Sequence, residues 1–539
     1  MTHAVPKNRE HLAHPPVVLL DGSAGLPREI LGNKGHGIDA MRRHGLPVPP
    51  AFCITTEVCA RFFDDPEGTV ASIRDDVRAK LEWLESETAR TFGRGPRPLL
   101  VSVRSGAAQS MPGMLDTVLD LGIDDGVEQA LATLHGPEFA QDTRSRFVHM
   151  YRRIVLGDES GEVPADPHEQ LRRAIAAVFE SWNSPRAITY RRHHGMDQLG
   201  GTAVVVQAMV FGNMPTDSGT GVLFSRNPMT GASEPFGEWL PGGQGEDVVS
   251  GTFDVEPVAA LRDEQPHVYD ELMAAARTLE ELSTDVQDIE YTVEEGRLWL
   301  LQTRTAKRSA QAAVRLALQL RGENLIDDAE ALRRVTTAHV ETLLLPSLQP
   351  ETRLAARLLA KGLPACPGVV SGKAYTDVDE AIDAADEDED VILVRPSTSP
   401  DDVQGMLAAR GIVTEIGGAT SHAAVVGREL GRPSVVGCGA GVAAALAGKV
   451  ITVDGAAGEV REGALELSAW SESDSPDLLE LADLARRVSP LRAYAVGDHP
   501  VLENNSEEAI RATIAAGNTD VVSSSPLITM LTALRLGTD

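Results

Sequence analysis

Short runs of β-branched and aliphatic residues recur in the first half of the chain and predict strands. The clearest lie at residues 98–106, 201–210 and 220–228. Residues 288–304 alternate apolar and polar positions on either side of a Glu-Glu-Gly turn, which is typical of a β-hairpin. Apolar spacing in residues 70–92 predicts helix. This mixture of antiparallel strands and helices predicts an α+β unit of two lobes.

The beginning of the chain predicts a strand, a turn and a helix. An apolar strand, VVLL, starts at residue 17, and the Gly-rich segment LGNKGHG at 31–37 is interpreted as a turn that leads into a helix ending at Gly45. The following LPVPP is expected to be extended, because proline lacks the N–H that a helix needs.

The second half of the chain changes pattern twice. Residues 306–360 carry apolar side chains at helical spacing and predict a helical connector with a break at Pro346. Residues 363–465 contain six short apolar runs, which predict a separate compact unit of strands. Residues 478–539 predict two helical stretches around the strand LRAYAV. We therefore expect four domains, at 1–305, 306–362, 363–465 and 466–539.

Composition excludes several classes of protein. The chain has 539 residues with Lys+Arg 49 and Asp+Glu 79, a formal net charge of -30, and this acidity disfavours nucleic acid as a partner. The 42% hydrophobic content is sufficient for sizeable cores. The four cysteines show no zinc-ligand spacing, and we expect them to be reduced and buried. Without a long apolar run or signal-peptide pattern, the sequence predicts a cytoplasmic protein and no membrane partner.

The sharpest chemical signal is GGATSHAAVVGREL, residues 417–430. Two glycines permit a tight turn after a strand, Thr420 is a suitable N-cap, and His422 then falls in the first helical turn. Free backbone N–H groups and the helix dipole stabilise an incoming anion there and disfavour imidazolium. The pattern fits a histidine that accepts a phosphoryl group. A structural histidine that caps its own loop is the alternative.

The same segment, extended to GGATSHAAVVGRELGRPSVVGC, resembles the phosphohistidine motif of the pyruvate phosphate dikinase family, which is related to phosphoenolpyruvate synthase. His422 falls at the phosphorylated position. Other segments resemble the nucleotide-binding motifs of the family in the same order, namely LGNKGHG (31–37), VSVRSGAAQSMPGMLDTVLDLG (101–122), SWNSPRAITYRR (181–192), QAMVFGNMPTDSGTGVLFSRNPMTG (207–231), GQGEDVVSG (243–251) and QDIEYTVEEGRLWLLQTRTAKR (287–308). Together they cover most of residues 20–465.

The resemblance implies a multidomain α+β and α/β protein. Its parts would be an ATP-grasp nucleotide-binding domain, a helical connector, a swivelling phosphohistidine β/α domain and a truncated barrel remnant. It also implies site residues. Lys34 and Arg104 would hold ATP phosphates, and Arg304 would neutralise charge on the transferring group. A group of oxygen donors would hold Mg²⁺: Asp288, Glu290 and Gln302. Arg226 and the strand at 207–210 are expected to border ATP.

The resemblance weakens toward the end of the chain. The last residues resemble the first strand–helix–strand of the family's phosphoenolpyruvate- and pyruvate-binding barrel, but VVSSSPLITM lacks the family's arginine. Two further departures are Ser397 in place of a family Glu, and GTFDVEP at 251–257, which lacks a family Arg. We expect a short form of the family without that barrel, which performs only the half-reaction with ATP and phosphate and uses a separately encoded barrel protein as partner.

Three functions are consistent with these residues. The favoured one transfers the β-phosphoryl of ATP to His422, releases AMP and, with phosphate, pyrophosphate, and passes the phosphoryl group on to pyruvate through the separate barrel. The second transfers it to another small acceptor. The third is a non-catalytic ATP-binding regulator of a full-length dikinase. The sequence leaves a homodimer open and does not decide whether Thr420 or Ser421 is modified.

Overall fold

The structure is a computed structural model that describes residues 12–109, 111, 113–196, 198–250, 253, 255–344, 347–348, 350–418, 420–468 and 472–537. The chain divides into two compact units. The N-terminal unit comprises Met1–Thr220, Pro241–Gln244 and Glu290–Arg304. The C-terminal unit comprises Gly221–Leu240, Gly245–Ile289 and Thr305–Asp539. The helix break expected at Pro346 lies outside the described residues, as do residues 251, 252 and 254 of the departure expected at 251–257.

The N-terminal unit is built around a five-stranded antiparallel sheet of order β1-β2-β7-β5-β6. Its elements are β1 (Val17–Leu19), α1 (Arg28–Arg43), β2 (Ala51–Ile54), α2 (Thr56–Asp64), α3 (Pro66–Ser72), α4 (Arg74–Thr88), β3 (Thr91–Phe92), β4 (Pro98–Leu99), β5 (Val101–Ala107), β6 (Thr117–Leu121), α5 (Asp125–His135), α6 (Pro137–Tyr151), α7 (Pro167–Glu180), α8 (Pro185–His193) and β7 (Thr202–Ala208).

The middle strand of this sheet, β7, is buried along its whole length, which explains its run of apolar residues at 203–206. β7 pairs with β2 on one side and β5 on the other, and every one of its residues is buried. Val204 and Val206 belong to the same core as Phe62 and Phe179 from the covering helices. Polar side chains would lose hydration on either face, so the usual alternation disappears. The strands predicted at 98–106 and 201–210 are confirmed.

The turn predicted at 31–37 is wrong, because α1 runs through this segment. Only Gly32 departs from helical geometry, with φ 67° and ψ 167°, and it kinks the helix. The two further glycines, Gly35 and Gly37, stay within the helix because packing against the sheet outweighs their low helix propensity. The sequence signal for a backbone irregularity was correct, but it applied to a single residue.

The next group of strands forms a second sheet, of order β10-β9-β8-β11-β12. Its elements are β8 (Gly219–Phe224), β9 (Phe236–Pro241), α9 (Gly245–Ser250), β10 (Glu256–Pro257), α10 (Ala259–Glu264), α11 (Pro266–Ser283), β11 (Gln287–Glu294) and β12 (Arg297–Thr305). The predicted hairpin is confirmed as β11 and β12. Its two central turn residues, Glu295 and Gly296, both have positive φ, which matches the right-handed twist of the strands.

The predicted helical connector is confirmed in its first part. It comprises α12 (Ala310–Gly322), α13 (Asp328–Arg334), α14 (Thr337–Leu344), the short strand β13 (Ser347–Leu348) and α15 (Pro350–Ala355). Val314, Leu316, Leu318 and Leu320 on α12 are buried. The strand β14 then begins at Leu358 and ends at Lys361, inside the segment that was expected to be helical.

A mixed eight-stranded sheet follows, of order β14-β21-β20-β16-β17-β18-β19-β15. Its remaining elements are β15 (Leu363–Cys366), β16 (Val369–Tyr375), α16 (Val378–Asp386), β17 (Val391–Arg395), α17 (Val403–Ala408), β18 (Gly411–Thr414), α18 (His422–Leu430), β19 (Ser434–Val436), α19 (Val442–Leu446), β20 (Val450–Asp454) and β21 (Glu459–Glu462). All six predicted strands are confirmed as β16 to β21. β16, β17, β18 and β19 run parallel, so α18 starts beyond the carboxyl end of β18.

The last segment contains more elements than the sequence predicted. They are β22 (Leu467–Ser468), α20 (Pro476–Val488), β23 (Arg492–Tyr494), α21 (Glu507–Ala515), β24 (Asp520–Val522) and α22 (Pro526–Leu536). β23 and β24 pair in parallel with α21 as the crossover. Helices α20 and α22 share one hydrophobic core with α12, α13 and α14. The predicted pattern of two helices and one strand therefore missed β24 and one helix.

Candidate active site

A close approach between two glycines sets the position of Lys34 on α1. At the kink, Gly32 lies so near the backbone of β5 that a Cβ added there would be 1.8 Å from the carbonyl oxygen of Gly106. A Cβ on Gly106 would in turn lie 3.4 Å from the Cβ of Lys34. The absence of both side chains lets α1 settle on β5. Lys34 is thereby held beside Gly106, which lies two residues along β5 from Arg104.

Arg104 connects β5 to the hairpin through side-chain hydrogen bonds. Its Nη2 donates to Glu290 Oε2 at 2.9 Å and lies 3.5 Å from Gln302 Oε1. Gln302 Nε2 donates to Glu290 Oε1 at 3.4 Å. Glu290 and Gln302 lie on the paired strands β11 and β12, and Arg304 follows Gln302 on the same face. The structure thus brings together five residues predicted from the sequence: Lys34, Arg104, Glu290, Gln302 and Arg304.

The three cations of this cluster act on one another and on the carboxylate. Removal from water, together with the positive charges of Arg104 and Arg304, lowers the pKa of Lys34 to about 7, although Glu290 opposes this. Burial alone would raise the pKa of Glu290, but Arg104, Arg304 and Lys34 outweigh it and hold that pKa below its usual value. The cluster therefore presents fixed positive charge that a polyphosphate can neutralise.

Asp288, the sixth predicted residue, lies two positions before Glu290 on β11 and is 3% exposed. Alternation along a strand directs both carboxylates to the same face. Magnesium is commonly bound by one or two carboxylates together with substrate phosphates. The donor set of Asp288, Glu290 and the Gln302 amide oxygen fits that preference. No cluster of three or more His, Cys, Asp or Glu side chains suited to a metal occurs among the described residues.

Arg226 lies in a buried network of ion pairs within the C-terminal unit. It is 6% exposed, and its guanidinium pairs with Glu280 on α11 and with Glu323 just after α12, in both cases at 2.6 Å. Gln319 also accepts a hydrogen bond from it at 3.2 Å. These bonds raise the pKa of Arg226. Arg226 therefore joins a strand end to two helices, and the expectation that it borders ATP stays a prediction.

The predicted phosphoryl acceptor lies at the first residue of α18. Ser421, and not Thr420, is the N-cap, and its side chain makes no cap hydrogen bond. The N-cap assigned to Thr420 is therefore wrong. Burial lowers the pKa of His422 to about 4, against the smaller opposing effects of Asp402 and Glu429. The ring is consequently neutral at pH 7, and its Nε2 is buried without a hydrogen-bond partner among the described residues.

Two contacts hold the start and end of α18 within the C-terminal unit, and sequence reasoning missed both. The Thr420 hydroxyl donates to Glu238 on β9, which also lies against Gly418. Near the end of α18, Lys307 Nζ lies 2.8 Å from Glu429 Oε1. The two partners of each contact are separated by more than one hundred positions along the chain, so no local pattern links them.

Other candidate chemistry is limited in the described part of the chain. The four cysteines are free; Cys53, Cys59 and Cys366 are buried and Cys438 is half-buried. Burial raises the pKa of Cys366 and Cys438 to about 12, so neither is a reactive thiolate at neutral pH. None of the helices in the described ranges has the length and apolar character needed to cross a bilayer.

The fold thus presents two groups of residues, a cluster of cations around Glu290 and a histidine at the start of α18. Comparison with known proteins shows which family contains both. Residues 69–268 match the family model described as pyruvate phosphate dikinase, AMP/ATP-binding domain. Residues 387–458, which include His422, match the model described as PEP-utilising enzyme, mobile domain.

Individual relatives extend the match across most of the chain. The pyruvate, phosphate dikinase of Clostridium symbiosum is 39% identical over 84% of this chain and 58% of its own length. That of Rhizobium meliloti is 39% identical over 87% of this chain and 60% of its own length. The chloroplastic enzyme 1 of Oryza sativa is 41% identical over 76% and 48%. The chain belongs to the pyruvate phosphate dikinase family, and it spans at most about 60% of the length of these relatives.

Proposed function

We propose that this chain is an ATP-dependent phosphotransferase of the pyruvate phosphate dikinase type, with His422 as the phosphoryl acceptor. The observation that carries the proposal is a pair of features in one chain. Lys34, Arg104 and Arg304 form a cation cluster around Glu290. His422 offers a neutral, buried Nε2 at the start of a helix. Family membership supports joining the two into one reaction.

Each residue of the cluster has a distinct task in the proposal. Lys34 and Arg104 bind ATP phosphates, and Arg304 stabilises charge on the transferring group. Asp288, Glu290 and Gln302 hold Mg²⁺ together with the phosphate oxygens, as their donor chemistry allows. When bound, Mg²⁺ supplies charge neutralisation on those oxygens. Arg104 moves from Glu290 to phosphate when ATP enters, because both interactions use the same guanidinium.

The reaction proceeds by displacement at phosphorus. His422 Nε2 attacks the β-phosphorus of ATP, the bond from that phosphorus to the oxygen bridging to AMP breaks, and AMP leaves with the electron pair. The histidine then carries a pyrophosphoryl group. An oxygen of inorganic phosphate attacks the terminal phosphorus, pyrophosphate departs, and the former β-phosphoryl stays on Nε2. A neutral ring is required because a protonated nitrogen has no lone pair for the attack.

The finer architecture belongs to the same proposal. Residues 1–305 act as an ATP-grasp domain, 306–362 as a connector and 363–465 as a swivelling phosphohistidine domain, followed by the barrel-like segment 466–539. The final acceptor is pyruvate, which the relatives' name contains. The parallel pair β23 and β24 supports the likeness to a barrel start, while the three serines that follow β24 lack the arginine expected there.

The test is transfer of label from β-³²P-ATP with Mg²⁺, with and without inorganic phosphate. The wild-type chain should acquire acid-labile label and release AMP, and phosphate should drive release of pyrophosphate. His422→Ala should acquire none. His149→Ala, which changes an exposed histidine, should behave as the wild type.

Adding pyruvate and a full-length dikinase inactivated at its own histidine then tests the last step. Label should move from His422 to phosphoenolpyruvate on the added barrel. A wild-type chain that binds ATP but never labels would refute the phosphotransferase and favour the regulator. Labelling without transfer to pyruvate would refute only the acceptor and favour a different small molecule.

A further inference from the structure

The residue before His422 carries a buried hydroxyl with no partner in the described part of the chain. Ser421 is 4% exposed, and its Oγ has no hydrogen bond to any described residue. This is unusual for an N-cap serine, whose oxygen normally accepts from an N–H of the first helical turn. Ser309 provides the comparison, because it is a buried N-cap whose side chain does accept a hydrogen bond, from Ala312 N–H at 3.1 Å.

The loop that precedes α18 leaves room for this hydroxyl without bonding it. A Cβ added to Gly417 would lie 3.0 Å from Ser421 Oγ, so any larger residue there would press on the hydroxyl. Gly417 also has φ 121°, a conformation that other residues rarely adopt. An unpartnered buried hydroxyl destabilises the folded chain. A phosphate oxygen brought to the neighbouring histidine would supply the missing acceptor.

The backbone at the same place is also suited to an anion. The first helical hydrogen bond of α18 runs from Val425 N–H to the Ser421 carbonyl. The N–H groups of His422, Ala423 and Ala424 precede it and so have no acceptor within the helix. Helix N-termini of this kind bind phosphate through such N–H groups and the helix dipole. The Ser421 hydroxyl and the His422 Nε2 both lie at this end of the nine-residue helix.

We propose that Ser421 is a catalytic residue whose hydroxyl donates a hydrogen bond to the phosphoryl oxygens carried on His422 Nε2. This inference rests on the proposed function and adds a residue to it. The hydroxyl keeps its proton throughout: while the bond between nitrogen and phosphorus forms and AMP departs, Ser421 stabilises the charge on the non-bridging oxygens. Hydrogen bonds to charged oxygens are about twice as strong as those between neutral groups.

The inference predicts that removing the Ser421 hydroxyl lowers activity without lowering the stability of the fold. Ser421→Ala removes a hydroxyl that bonds to no described residue, so its unfolding temperature should be unchanged or raised. Ser309→Ala is the matched control, because Ser309 is 3% exposed and also donates to the Met229 carbonyl at 2.5 Å. It should lower the unfolding temperature and leave phosphohistidine chemistry unchanged.

The experiment phosphorylates each protein chemically with phosphoramidate, in which the bond between nitrogen and phosphorus breaks, ammonia leaves and the phosphoryl group passes to histidine. The lifetime of the phosphohistidine is followed by ³¹P NMR, with His422→Ala identifying the resonance. Ser421→Ala should shorten the lifetime roughly tenfold or more, and it should slow labelling from β-³²P-ATP by a similar factor.

A wild-type lifetime in Ser421→Ala would overturn the inference. So would a fall in unfolding temperature like that of Ser309→Ala without any change in lifetime. If ATP labels neither the wild type nor the variant, the proposed function fails, while the lifetimes after phosphoramidate treatment still decide the role of Ser421.

Discussion

Lys34 makes nucleotide binding depend on pH above neutrality. Its pKa in the free protein is lowered to about 7 by removal from water and by the neighbouring arginines. Phosphate oxygens stabilise the ammonium form and restore the pKa toward its usual value of about 10.4. Glu290, with its lowered pKa, stays ionised in this range. The pH dependence of binding between pH 7 and pH 9 is therefore attributed to Lys34.

The size of the effect follows from these two pKa values. With a free pKa of about 7 and a bound pKa of about 10.4, the dissociation constant for ATP should rise about fiftyfold between pH 7 and pH 9. The sign follows from protonation: only the bound state holds the proton in this window, so raising the pH removes it from the free protein and weakens binding. At pH 8 the complex should take up about 0.9 proton per nucleotide.

Isothermal titration calorimetry in buffers of different ionisation enthalpy measures both quantities at once. Lys34→Arg is the matched variant, because its guanidinium keeps its charge to beyond pH 12. It should bind ATP with a flat pH profile over this range and with little proton uptake. If the wild type and Lys34→Arg show the same slope and the same uptake, the lowered pKa does not govern binding and the reasoning is refuted.

Three further predictions follow from other positions. Gly32→Ala should weaken ATP binding at least about tenfold, since its Cβ would meet the facing backbone at 1.8 Å, whereas Gly45→Ala, with a similar φ of 72° and nothing within 4 Å, should bind normally in the same titration. Arg226→Leu should reduce the unfolding free energy in urea by about 3–5 kcal/mol by leaving Glu280 unpaired, without changing ATP affinity; equal losses in both would contradict its structural role. At saturating ATP, which removes the effect of Lys34 on binding, the labelling rate of His422 should stay within about twofold from pH 7.5 to 5.5, because its pKa is lowered to about 4 and the ring stays neutral; an ordinary histidine would lose about tenfold by pH 5.5.

Regular elements with a strong local pattern were predictable from the sequence. The apolar run of β7, the alternation of β11 and β12 around a tight turn, and the strands β16 to β21 all appear where the sequence placed them. Errors fell where tertiary packing outweighed local propensity. α1 continues through a Gly-rich segment because its close contact with β5 requires residues without side chains. β14 and β24 were missed because each is short and carries little local signal.

The candidate site shows the same distinction. The family resemblance selected Lys34, Arg104, Glu290, Gln302 and Arg304, and the structure brings them into one cluster. It also suggested Arg226, which belongs to a different ion network. The two partners that hold α18, Glu238 and Lys307, had no signal in the sequence, because each meets its partner across more than one hundred residues.

The sequence by itself determined the chemistry available to this protein: a histidine at a helix start, a hairpin with alternating carboxylate, amide and arginine side chains, and strands whose periodicity needs only neighbouring residues. The tertiary structure alone decided the state of those groups. Burial makes His422 neutral, burial together with the charges of Arg104 and Arg304 lowers the pKa of Lys34, and the hydroxyl of Ser421 is left without a partner among the described residues. Protonation and hydrogen bonding depend on distance and dielectric environment, which segments far apart in the chain create together when they pack.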